Sequence, residues 1–280
     1  MGTRFETTRT RSWWRALRGA KRGFHHTRDL YRLIRATPDW RAVRSARQNG
    51  GTRVLPPLRL RNGLLIQHGP LDNPLLLLDE VFLSRWYGID AEPPPGAVMA
   101  DIGANIGGVS LYWAQRSPGL RIHAYEPNPS AHEVLQRNMS SNRLLDRIEA
   151  FSDAVGRHTG ELDLWVDVPS ELSTAYLEEP PVEGGRRLAV RMIGLDEVWD
   201  RLDRRPIWLL KIDTEGAEAD TLEGASSEVL RATDNAIVEY HDNICPGASM
   251  RCRRVLEAAG FDLQWRVHPW DEGIIYARRK

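Results

Sequence analysis

From residue 97 onward, short apolar runs alternate with stretches of helical periodicity. Runs at 97–102, 121–125, 148–154, 207–212 and 236–240 predict a parallel sheet whose strands are joined by crossover helices. Near the end, "FDLQWRV" and "GIIYARR" read as two strands separated by a short turn, closing the sheet with an antiparallel edge hairpin. The fold class is therefore α/β. Upstream, Asn62-Gly63 in "RLRNGLLI" lies between short apolar runs, a strong two-residue hairpin signal. A helix is expected over about residues 74–86, and "AEPPPG" at 91–96 interrupts regular structure at the entry to the main domain. The chain thus divides into an arm (1–53), a hairpin with a pre-domain helix (54–96), and the main domain (97–280).

The arm has its own period. Trp13, Leu17, Ala20, Phe24, Thr27, Tyr31 and Ile34 recur at steps of four and three, an apolar stripe on a helix whose other face is mostly arginine. Gly19 and Gly23 each weaken such a helix by about 1 kcal/mol relative to Ala, so it needs a surface to lie on. That surface is an anionic membrane, a partner, or, in the plainer reading, the body of the protein itself. Thr37, Pro38 and Asp39 then open a second helix that ends at Asn49-Gly50-Gly51.

Charge sharpens this division. Residues 1–61 hold 16 Lys and Arg against 3 Asp and Glu, and the remainder 22 against 35, so a net charge of zero conceals a basic arm on an acidic body. No nucleic-acid reading motif accompanies the arm, and no nucleic-acid partner is expected. Two cysteines, Cys245 and Cys252, cannot form a disulfide framework, and no continuous apolar segment directs export or insertion. A cytoplasmic location, with peripheral membrane contact through the arm, fits these features.

Two stretches carry chemistry. In "VMADIGANIGGVSLYWAQ", aligning a dinucleotide fingerprint on Gly103 puts Asn105 where a bare glycine would meet a pyrophosphate. This counts against a nicotinamide-dependent oxidoreductase, the alternative enzyme reading. Asp101 precedes the turn, and Glu126 ends the next strand 25 residues later, placed to accept hydrogen bonds from ribose hydroxyls. Together they suggest a nucleoside that carries an amino-acid group and no phosphate: S-adenosylmethionine. The plainer role for Glu126 is to cap the following helix.

The second stretch is "IWLLKIDTEGAEADTLEGA". A lysine inside an apolar strand is costly unless paired, and Lys211 shares a face with Asp213. The next apolar run places Glu239 and His241 on one face, so neighbouring strands would gather a lysine and three partners at the carboxyl edge of the sheet. A Lys211–Glu239 structural pair is an equal reading. Glu215 and Glu218 fall in the first turn of the following helix, where they favour its dipole. A metal site from Asp213, Glu215, His241 and Asp242 is conceivable, yet its spacing resembles no specific ligand motif, and no metal is expected.

In order and spacing, "ADIGANIGGVSL", "AYEPNP", "GLDEV", "LLKIDTEGAE" and "IVEYH" resemble the FkbM-type S-adenosylmethionine-dependent methyltransferases over roughly residues 75–277. The resemblance implies a seven-strand Rossmann-like sheet and methyl transfer to oxygen, often on sugars, glycolipids or polyketide-derived products. It places Asp101, Gly103, Asn105 and Gly107 on the methionine side of the cofactor, Glu126 on its ribose, and Ser152 and Asp153 near adenine. A positioned base would help a hydroxyl attack. That base is assigned to His241, with Asp213 or Glu215 as the alternative and Lys211 orienting the carboxylates or polarising the acceptor. The acceptor is expected to be a small-molecule or lipid-linked hydroxyl. Residues 170–185 read as a long loop, either a lid over the acceptor or equally a hairpin connection, with Ser173 and Thr174 as inward polar groups. A non-catalytic scaffold held by the basic arm is the alternative from another class.

Overall fold

A computed structural model describes residues 26–49, 55–268 and 271–280. Strands β3 (Val98–Ile102) and β9 (Ile207–Ile212) are buried along their whole length, as the continuous apolar runs of central parallel strands should be. They sit mid-sheet in the order β11-β12-β10-β9-β3-β4-β5, with β4 at Arg121–Tyr125, β5 at Ile148–Phe151 and β10 at Thr233–His241. Strand β12 (Glu272–Arg279) is antiparallel to both β10 and β11 (Phe261–His268). The expected edge hairpin is therefore present, with its second strand inserted between β10 and the edge.

Successive residues along each strand face opposite sides, and this alternation builds two cores. Met99, Leu209 and Ile237 face one side, against α4 (Gly108–Arg116) and α5 (Pro129–Ser141). Ala100, Leu210 and Val238 face the other, against α6 (Leu195–Arg201), α7 (Glu218–Gly224), α8 (Ser227–Arg231) and α9 (Ala248–Ala258).

The first core also takes in elements from before the sheet. Leu33 of α1 (His26–Ala36) and Val43 of α2 (Trp40–Asn49) are buried in it, and Arg47 pairs with Asp79. The described part of the arm is thus packed on the body, whereas the stripe from Trp13 to Phe24 lies outside the described residues. Asn62-Gly63 turns between β1 (Leu58–Arg59) and β2 (Leu65–Ile66), which pair antiparallel. The pre-domain helix is α3 (Pro74–Leu77), capped by Asn73, running directly into a π-helical turn at Leu78–Leu83. Among the described residues no helix is long and apolar enough to cross a membrane.

The expected strand over 148–154 is divided in two. It breaks at Ser152-Asp153, and β6 (Ala154–Val155) joins a second sheet of order β6-β8-β7, with β7 at Gly160–Val166 and β8 at Arg186–Ile193. At the break, Arg201 of α6 donates to Asp153 Oδ2 at 2.7 Å. Residues 167–185, which contain the expected 170–185 segment, connect β7 to β8.

The ends of β3 and β9 press together at Gly103. A Cβ there would lie 1.7 Å from the Asp213 carbonyl oxygen, and its φ of +72° already disfavours a side chain. Gly103→Ala is expected to destabilise the fold by about 3 kcal/mol or more, read as a lowered urea midpoint. Gly108→Ala meets only the side chain of Leu77, and a smaller loss is expected.

Candidate active site

A cleft opens at the carboxyl ends of β3, β4 and β9, where open α/β sheets bind ligands. Gly103, Asn105, Glu126, Asp213, Glu215 and Tyr176 line it, and Val155, Leu162 and Leu164 give it an apolar wall. Asn105 adopts φ +50°, which turns its backbone N–H onto Glu126 Oε2 at 2.8 Å. The Asn128 N–H donates to the other oxygen at 2.8 Å, and Asn128 itself caps α5. Glu126 is thereby fixed at the end of β4 with lone pairs to spare. Burial pushes its carboxyl up to about 7, against the opposing pull of those two amides.

Beneath the turn lies a polar layer. Asp101, fully buried, accepts from Ser110 Oγ at 2.6 Å and stands 3.3 Å from Lys211 Nζ, with Asp213 Oδ2 3.4 Å from the same ammonium. Burial works against the ammonium, but Asp213 and Asp101 more than offset it and hold Lys211 above its ordinary value. Asp101 and Gly107 do not line the cleft; a Cβ on Gly107 would meet Leu135, so both shape the turn from behind. Ser152 and Asp153 also lie outside the lining, and Asp153 is engaged by Arg201 and Arg191.

Strands β9 and β10 are neighbours, which brings the two polar faces together. The pairing differs from a Lys211–Glu239 bridge. Tyr87, from the segment before the sheet, donates to Glu239 and lies 3.2 Å from Asp213 Oδ2. Burial, reinforced by Asp213, raises the Glu239 carboxyl to about 8.

His241 is buried between two acids. Its Nδ1 is 2.9 Å from Glu218 Oε1, and its Nε2 is 3.5 Å from Glu215 Oε2. Burial would lower the imidazole, but Glu215 and Glu218 outweigh it and hold the ring well above its ordinary value. Glu215 precedes α7 in a left-handed conformation rather than lying on the helix. Glu218 opens α7, and beyond any dipole effect its Oε1 accepts from the Thr214 and Gly216 amides. Asp242 points elsewhere, capping α9 through the Ser249 amide and hydroxyl.

The segment between β7 and β8 reaches over the cleft. Thr174 Oγ1 donates to the Glu215 carbonyl at 2.5 Å, and Tyr176 donates to Asp220 at 2.6 Å. Ser173 accepts from Asn128 at 2.6 Å. Tyr87 and Tyr176 had no local sequence signal, since each is remote in sequence from the groups it binds.

Residues 101–263 match the model of the methyltransferase FkbM domain. A methyltransferase of Sordaria araneosa, sdnD, is 31% identical over 72% of this chain and 88% of its own length. The 31-O-demethyl-FK506 methyltransferase FkbM of Streptomyces tacrolimicus is 28% identical over 68% of this chain and 83% of its own. The 2-O-methyltransferase NoeI of Sinorhizobium fredii is 26% identical, covering 58% of this chain and 71% of that protein.

Proposed function

Because this chain belongs to the FkbM methyltransferase family, we propose that it methylates a hydroxyl of a sugar, glycolipid or polyketide-type acceptor, using S-adenosylmethionine. The observation that carries this reading is Glu126, held by two backbone amides at the end of β4 and facing the cleft that Gly103 and Asn105 border. A carboxylate so placed suits vicinal ribose hydroxyls and repels a phosphate. The apolar wall of Val155, Leu162 and Leu164 suits a purine. The names of the Streptomyces and Sinorhizobium relatives support oxygen as the atom methylated.

S-adenosylmethionine supplies an electrophilic methyl group when bound. The chain's own residues align the acceptor with it and exclude water. Thr174 and Tyr176 fasten the 170–185 segment over the cleft. The raised His241 ring already carries a proton, so the acceptor's proton is taken at Asp213 or Glu215 beside it, with Glu218 fixing the imidazole and Lys211 holding Asp213 in place. Tyr176→Phe removes one fastening. It is expected to speed release of S-adenosylhomocysteine several-fold in stopped-flow fluorescence, and an unchanged rate would show that the segment is no lid.

Calorimetric titration with S-adenosylhomocysteine tests the cofactor assignment directly. Micromolar binding supports it. A folded chain that binds none, but binds anionic vesicles, would instead be the scaffold of the alternative reading.

A further inference from the structure

Asp213, Glu215 and His241 each present a donor atom, and these atoms lie within 4.8 Å of one another. Two ligands about 2.1 Å from a divalent ion stand at most about 4.2 Å apart, so closing the group around an ion takes only small side-chain shifts. His241 is 3% exposed, and its Nδ1 is committed to Glu218. Its Nε2 makes no hydrogen bond among the described residues and is aimed at Glu215 Oε2, 3.5 Å away. Metal-binding histidines are held in this way, with one ring nitrogen on a carboxylate and the other presented to the ion. Tyr87 and Lys211 approach Asp213 through Oδ2, which leaves Oδ1 without a protein donor among the described residues.

We propose that Asp213 and Glu215, which line the cleft, and Nε2 of His241, which lies outside the lining, hold a divalent cation between them. Two carboxylates and one imidazole suit Mn2+, Mg2+ or Zn2+ and leave positions open for water or an acceptor oxygen. The site itself stands on this geometry; its use in catalysis rests on the methyltransferase reading above. An acceptor hydroxyl on the ion is held in line with the methyl and loses its proton more easily. As the oxygen–carbon bond forms and the carbon–sulfur bond breaks, sulfur keeps the electron pair and the proton passes to a carboxylate oxygen of Asp213 or Glu215 that is not on the ion. Asp242 takes no part, because both its oxygens are occupied at the start of α9.

The test uses the full chain, stripped with a chelator and titrated with Mn2+ while the free ion is followed by electron paramagnetic resonance. One ion per chain is expected, with a dissociation constant below about 100 μM. Glu215→Gln and His241→Gln are each expected to weaken it by at least about 30-fold, Glu218→Gln by about 10-fold, and Asp242→Asn not at all. The proposal is overturned by no stoichiometric binding at 1 mM Mn2+, or by binding that is equally tight in the Glu215 and His241 variants. Calorimetry with S-adenosylhomocysteine on the same samples separates the two readings and checks that each variant is folded. Binding of that ligand without Mn2+ removes the cation site alone, and binding of Mn2+ without that ligand removes the cofactor assignment alone.

Discussion

Glu126→Gln is expected to weaken S-adenosylhomocysteine binding by about 10- to 100-fold at pH 8, the range for losing hydrogen bonds to a charged group. The wild type should carry a pH dependence that the variant lacks. Burial holds the Glu126 carboxyl near 7, and only the ionised form offers both oxygens to ribose hydroxyls while still accepting from Asn105 and Asn128. Affinity should therefore fall as pH drops below about 7, by up to about tenfold per unit, and level off above it. The stability of the unliganded protein should run the opposite way. This acid is raised in the fold from an ordinary value of 4.5, so the folded chain keeps a proton that the unfolded chain releases. The contribution is fully present below 4.5 and is lost as pH rises through about 7, by about 3 kcal/mol at most. The difference between wild type and variant in urea midpoints from pH 5 to 8 isolates it from the other acids. If Glu126→Gln binds as tightly as the wild type at every pH, the carboxylate only braces the two amides.

The sheet was legible because its central strands are buried on both faces, and continuous apolar runs such as "VMADI" and "IWLLKI" admit few other structures. The second sheet was not. "GELDLWV" and "RRLAVRMI" do alternate, but each exposes most of one face and has charged residues at alternate positions, a weaker signal than a solid apolar run. At the break between β5 and β6 Arg201 reaches Asp153, a contact across 48 residues that no local pattern announces. At the site, period-two reasoning placed Lys211 with Asp213 and Glu239 with His241, since strand geometry alone decides this. It could not choose partners. Lys211 faces Asp101 and Asp213 because β9 lies between β3 and β10, and Glu239 belongs to Tyr87, which arrives from outside the sheet. Glu218 looked like an ordinary first-turn acid until the fold buried it against His241.

His241→Gln is expected to lower turnover at saturating cofactor and acceptor by about 100- to 1,000-fold, the range for removing a group that assists proton transfer. S-adenosylhomocysteine affinity should stay within about twofold, because His241 does not line the cleft. The ring acts through one nitrogen only if Glu218 holds the other, so Glu218→Gln should lose turnover in the same assay by a smaller factor. If the two act as a unit, the double variant should be no slower than His241→Gln alone, a non-additivity that two independent structural roles would not give. A purely structural His241 predicts a different outcome. Its removal would leave Glu218 Oε1 on the Thr214 and Gly216 amides, lower the urea midpoint, and leave turnover per folded molecule near that of the wild type. Near-normal turnover in His241→Gln would therefore withdraw the residue from the chemistry, while leaving the Glu126 cleft and the cofactor assignment standing.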